Sequence, residues 1–253
     1  MSLSEDRSEA LHDLKALGTD IHPQEKPTIT ELSSSVVRTP WDARAFGIDT
    51  YEIRSVTEDV LQYVAKIPGH FTVKVDPLSP KGLLHKYGFY YCDTLIQPYC
   101  TTDRFVNFEH EAVSVTRTAP VEDLIAITHG AFSHGRFNRD FNLDSRHADL
   151  RYDLWLQDLY KAGTVLVLLY EGKTAGFFGF VENRIVLHAL GSDYMGRGLA
   201  KYFWSAACKE IFRIGHSELI SSISAANLPV LNLYVSLGFR FKNPLDVYHR
   251  LNK

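Results

Sequence analysis

The chain has 253 residues, 45% of them hydrophobic, which is enough to bury a core in one large domain or two small ones. A formal net charge of −3 and a pI near 6.4 leave no basic footprint, so neither nucleic acid nor an anionic membrane surface is expected as a partner. No apolar run approaches the roughly 18 residues of a membrane span, and Met1 to Glu9 is too polar for a signal peptide, so a cytoplasmic setting is expected.

Residues 1–34 form a polar extension in which Leu11, Leu14 and Leu17 suggest a frayed helix followed by a linker. A small α/β unit is expected over 35–105. In it Pro40-Trp41-Asp42 leads through Phe46-Gly47 to a strand near Tyr51 to Arg54. A helix capped by Thr57 follows, then a strand Phe71 to Val75, a helix capped by Ser79 with Pro80 at its first position, and a strand Phe89 to Ile96. A boundary is placed within Gln97 to Glu109.

A second unit, 110–253, begins with strand Ala112 to Arg117, helix Val121 to Phe132 and helix Ala148 to Lys161. Strand Val165 to Tyr170, a hairpin about Gly172, strand Ala175 to Val181 and strand Ile185 to Leu190 come next. A glycine turn, a helix Leu199 to Ile214, a strand Leu219 to Ser224, a helix Leu228 to Leu237 and two strands near Phe239 to Phe241 and Val247 to Leu251 complete it. The cysteines Cys92, Cys100 and Cys208 are odd in number, lack metal spacing and read as packing residues in a reducing compartment.

The turn Met195-Gly196-Arg197-Gly198-Leu199-Ala200 joins a strand to a helix. Unpaired amides at a helix N-terminus, with the positive end of the macrodipole, make a phosphate seat, and a Cβ at Gly196 or Gly198 would hold the anion off. Such turns also simply close αβ connections. Downstream, Asn227, Tyr234 and Gly238-Phe239 form a second pattern on a helix and the strand after it. Alone, Asn227 could be an N-cap and Tyr234 a packing residue.

Together these two patterns resemble the diphosphate loop and the N-x-x-A-x-x-L-Y-x-x-x-G-F signature of the GNAT superfamily of N-acetyltransferases, with Met195 where glutamine or arginine is usual and Val230 in place of alanine. The resemblance implies an α+β GNAT fold, with a mixed, mostly antiparallel sheet splayed between its fourth and fifth strands, behind a smaller α/β N-terminal domain. It implies acetyl-CoA as co-substrate, its diphosphate on the amides of Met195 to Ala200 and its pantetheine on main-chain groups of His188 and Leu190. Asn227 would lie at the coenzyme site, and Tyr234 would act as general acid toward the leaving thiolate. His188 is a weak candidate base; the base is otherwise unassigned, and a water path would serve.

The segments Pro40-Trp41-Asp42, Phe46-Gly47, Leu84 to Phe89, Ser133 to Phe137 and Leu154-Trp155 resemble more narrowly the sugar-amine acetyltransferases typified by dTDP-fucosamine acetyltransferase. That implies an amino sugar on a nucleotide as acceptor, Arg136 and Phe137 beside it, and a homodimer. Ordinary loop chemistry, with Arg136 solvated and Phe137 an anchor, is the alternative. An amino-acid or peptide amine as acceptor, or a non-catalytic coenzyme A-binding module, stays open as well. No metal site is expected: His129, His134, His147, Asp140 and Asp144 fit no ligand spacing.

Overall fold

The computed structural model describes residues 29–253, so the frayed helix expected near Leu11 to Leu17 lies outside the described residues. The N-terminal part runs α1 (Ile29–Ser34), β1 (Val36–Arg38), α2 (Pro40–Phe46), β2 (Thr50–Ile53), α3 (Glu58–Val64), β3 (Gly69–Val75), α4 (Gly82–Lys86) and β4 (Tyr90–Thr101). Next are β5 (Val113–Thr116), α5 (Val121–Thr128), α6 (Ser145–Lys161), β6 (Val165–Tyr170), β7 (Lys173–Val181) and β8 (Arg184–Leu190). The chain closes with α7 (Ala200–Arg213), β9 (Glu218–Ser221), β10 (Ile223–Ser224), α8 (Leu228–Ser236) and β11 (Arg240–Asn252).

All the strands join one mixed sheet in the order β1-β2-β3-β11-β4-β9-β8-β7-β6-β5, with β10 added to β4. Only β2–β3 and β8–β9 pair in parallel among the described strands. The period of two along β6 sorts its side chains between two cores. Leu166 and Leu168 face Phe203, Trp204, Ala207 and Ile211 of α7. Val165 and Val167 face Leu124 of α5 and Leu156 and Leu159 of α6. A third cluster holds Leu61 and Val64 of α3 against Phe71, Val73 and Tyr248.

Local signals account for many element ends. Thr57 accepts a hydrogen bond from the Val60 amide at the start of α3, and Asp144 does the same for Arg146 at the start of α6. The β6–β7 hairpin turns through Glu171 and Gly172, both at positive φ, as a type I′ turn requires.

Elsewhere the structure departs from expectation. Pro40 at the first turn and Gly47 in the left-handed C-cap conformation delimit α2, a helix not anticipated. Ser79 does not cap α4; its hydroxyl donates to the Asp76 carbonyl in a preceding turn, and α4 starts at Gly82. Strand β4 runs on through Pro98 to Thr101, into the segment where a boundary was placed. The two expected C-terminal strands are one, β11, in which Asn243 at positive φ and the following Pro244 are taken up by a shift of register between Lys242 and Leu245. This strand lies between β3 and β4, so strands of 35–105 and of 110–253 alternate in one sheet.

Candidate active site at the strand splay

Strands β8 and β9 pair only through Arg184 with Ile220 and Ile185 with Ser221, then separate. Beyond that point the Gly191 amide donates to the Ala175 carbonyl on the β7 side. Alternation along the strand therefore turns the main-chain groups of Leu190 and His188 to the opposite edge, facing the gap.

At the end of β8 a single 3-10 turn, Ser192–Tyr194, leads into the glycine turn. Gly196 and Gly198 both have positive φ and are exposed, and a Cβ built on either meets nothing within 4 Å. Leu199 begins α7 without a side-chain cap, and the amides of Gly196 to Lys201 donate to no backbone or side-chain acceptor among the described residues. The arrangement suits a diphosphate: donors converge at the positive end of a 14-residue helix, with open space in front. Arg197 lies over the Tyr170 and Tyr194 rings at 5.6 and 5.9 Å, with one nitrogen donating to the Asp193 carbonyl. Met195 is 62% exposed and brings no charge, whereas Leu199 turns into the core and Ala200 is half-buried.

Asn227 caps α8 by accepting from the Val230 amide, which fixes the helix that carries Tyr234. Gly238, at positive φ, passes so close to the Arg104 carbonyl that a Cβ would collide with it. Tyr234 is fully buried and packs edge-on against Phe239 at 4.7 Å. Its hydroxyl lies 3.3 Å from His188 Nε2, and burial pushes its pKa up. Burial also lowers the His188 pKa to about 4, so the imidazole is neutral near pH 7.

A cavity of about 320 Å³ opens beside the splay, lined by residues that include His188, Asn227, Arg136, Arg184, Asp93 and Ser224. His188, Asn227 and Arg136 thus line one cavity. Phe137 does not join them: it is 2% exposed and packs against Phe46, His70 and His249, the anchoring role that was its alternative. Arg136 lies over the Phe137 ring at 4.6 Å. Asp93, also in the cavity wall, was not anticipated; an aspartate inside a predicted strand is the signal that could have marked it, because strands are depleted in that residue.

The histidines near residue 140 do not gather. His129 pairs with Asp153 at 3.0 Å, His147 is exposed, and Asp144 is a helix cap. Asp140 instead meets His70 and His249, from strands far off in sequence, at 3.0 and 2.8 Å, and Tyr90 donates to it at 3.0 Å. The potential ligand atoms of His70, Asp140 and His249 lie within 4.8 Å of one another, all buried. Tyr90, both imidazoles and the Asn142 amide already supply the carboxylate with donors.

Residues 135–239 match a family model described as the acetyltransferase (GNAT) family. No curated protein matches the sequence. Among solved structures, a GCN5-related N-acetyltransferase from Sphaerobacter thermophilus superposes with a TM-score of 0.53 at 15% identity over 77% of this chain; the chain spans 64% of that protein's length, less than two thirds. A GCN5-related N-acetyltransferase from Kribbella flavida gives 0.55 at 10% identity over 88% of this chain and 92% of its own. A functionally unknown conserved protein from Staphylococcus epidermidis gives 0.58 at 11% identity, over 84% and 89%. With a family match that takes in the splay, the glycine turn and the Tyr234 helix, and with these neighbours in shape, the chain has the GNAT fold, and its residues 135–239 are similar to the GNAT acetyltransferase family.

Proposed function

We propose that the protein is an acetyl-CoA-dependent N-acetyltransferase acting on a small-molecule primary amine by direct attack, with Tyr234 as general acid. The observation that carries this reading is the separation of β8 from β9 after two residue pairs, with the open glycine turn at the end of β8. A diphosphate on the amides of Met195 to Ala200 and a pantetheine along His188 and Leu190 would direct a thioester toward Tyr234. Bound acetyl-CoA supplies an activated acyl carbon. The chain's residues orient it, and the Tyr234 phenol, held against neutral His188, supplies the proton that the sulfur needs as it leaves. An amino sugar carried on a nucleotide is the acceptor favoured by the resemblance of the N-terminal segments, and Arg136 in the cavity wall suits its phosphates.

The test is calorimetric titration with acetyl-CoA, then mass-spectrometric detection of acetyl transfer across a panel of amines. Binding without transfer to any amine would favour a coenzyme A-binding module, and absence of binding would defeat the reading.

A further inference from the structure

We propose that Asp93 seats the ammonium group of the acceptor and takes its proton, and that the acceptor also bears an anionic group, held by Arg136. The inference rests on the acetyltransferase reading above and adds the amine seat, and it widens the anion at Arg136 from a phosphate to a phosphate or a carboxylate.

Asp93 is 1% exposed. Its Oδ1 accepts three hydrogen bonds, from Arg139 at 2.8 Å, from the Ser224 hydroxyl at 2.7 Å and from the Thr94 amide at 2.9 Å. Its Oδ2 is enclosed and has no partner among the described residues. A carboxylate with one oxygen saturated and the other bare, in a cavity wall, is poised for a donor brought by a ligand. Burial pushes its pKa up against the Ser224 and Arg139 contacts, which improves it as a proton acceptor. His188 serves less well, since its Nε2 already faces the Tyr234 hydroxyl.

Arg136 presents the complementary deficit. Its Nε is enclosed without an acceptor, and its guanidinium forms no ion pair among the described residues. The neighbouring arginines are committed: Arg139 to Asp93 at 2.8 Å and Arg151 to Asp42 at 2.5 Å. Arg139 and Arg136 both act on the one Asp93 carboxylate, so an ammonium seated there adds to an excess of positive charge and favours a ligand that also carries an anion. The anion is a carboxylate or a phosphate. An adjoining groove of about 320 Å³, between Trp41, Arg44 and Asp158, shares Arg151 and Trp155 with the cavity and leaves room for a larger acceptor.

In the reaction one ammonium proton passes to Asp93 Oδ2, and the neutral nitrogen adds to the thioester carbonyl. The C–N bond forms and the C–S bond breaks as Tyr234 gives its proton to the sulfur, and the second proton lost by nitrogen returns to the Tyr234 oxygen, restoring the phenol. Asp93 returns its proton to water as product leaves.

Steady-state rates with acetyl-CoA and three acceptor sets test this: alkyl amines without an anion, amino acids, and nucleotide-linked amino sugars. One anion-bearing set is expected to exceed the plain amines in kcat/KM by about tenfold or more, and its identity tells carboxylate from phosphate. Asp93→Asn should bind acetyl-CoA normally, which also reports its folding, and lose about 100-fold in kcat/KM. Asp93→Glu, which keeps the charge but moves it, is the second variant and should lose about tenfold in kcat. Arg136→Gln should raise KM for the anion-bearing acceptor about tenfold while kcat changes little. Plain amines turning over as well as charged ones, or Asp93 variants as active as the parent protein, would overturn the inference. Absence of acetyl-CoA binding to the parent protein would instead overturn the acetyltransferase reading beneath it.

Discussion

A phenol with no exposed surface gives up its proton reluctantly, because the phenolate would have no water around it. Tyr234 is therefore protonated through the whole working range, and its hydroxyl is oriented by an imidazole that burial keeps neutral. Removing that hydroxyl in Tyr234→Phe is expected to lower kcat by about 100-fold while acetyl-CoA affinity changes little. Equal turnover in the variant would exclude Tyr234 as the acid. Gly198 allows the proposed coenzyme seat to be tested apart from Tyr234. Its Cβ would point into open space, so Gly198→Val should spare the core and obstruct the amide cradle. Positive φ makes valine strained there, at a cost of about 1–3 kcal/mol. The expected outcome is a loss of acetyl-CoA affinity by calorimetry in a protein that still melts cooperatively. Undiminished affinity would place the diphosphate elsewhere.

At the scale of elements, Asp140 ties the loop before α6 to β3, β4 and β11 through His70, Tyr90 and His249. Burial alone would raise its pKa, but the hydrogen bonds from His249 and His70 hold the carboxyl well below the usual carboxylate range. Asp140→Ala would leave several buried donors unsatisfied and should cost roughly 3 kcal/mol. Asp144→Ala, which removes an exposed helix cap four residues on, should cost about 1 kcal/mol. Urea unfolding of the two variants compares them directly, and equal losses would show that the buried node carries no special weight. The cysteines belong to the packed elements too: all three are buried, and burial raises Cys92 to about 12 and Cys100 to about 11. A thiol reagent at pH 8 should label them only as the protein unfolds.

For the whole molecule, pH acts through the imidazoles of His188 and His249, each lowered from 6.5 to about 4, chiefly by burial. Each binds a proton more readily in the unfolded chain, so stability is complete above pH 6.5 and falls as pH drops toward 4. At pH 5 the loss should approach about 2 kcal/mol per histidine. Chemical unfolding at pH 7.5 and pH 5.0 measures it, and equal stability at the two would contradict the burial of neutral imidazoles.

The glycine turn, the caps at Thr57 and Asn227 and the Glu171-Gly172 hairpin were legible in the sequence because each is set by residues within a few positions of one another. The strand and helix order of residues 110–236 was legible for the same reason, because each element carries its own apolar run and its own turn residues. What the tertiary structure alone decided is non-local. β11 is one strand despite Asn243-Pro244, because β3 and β4 pair with it on either side and a bulge absorbs the extra residues. His70, Asp140 and His249 meet across 70 and 109 residues of chain. Asp93 finds Ser224 131 positions away, and Arg136 reaches the same cavity from a loop. In sequence a buried carboxylate is indistinguishable from a solvated one; only packing removes its water and makes the missing partner matter.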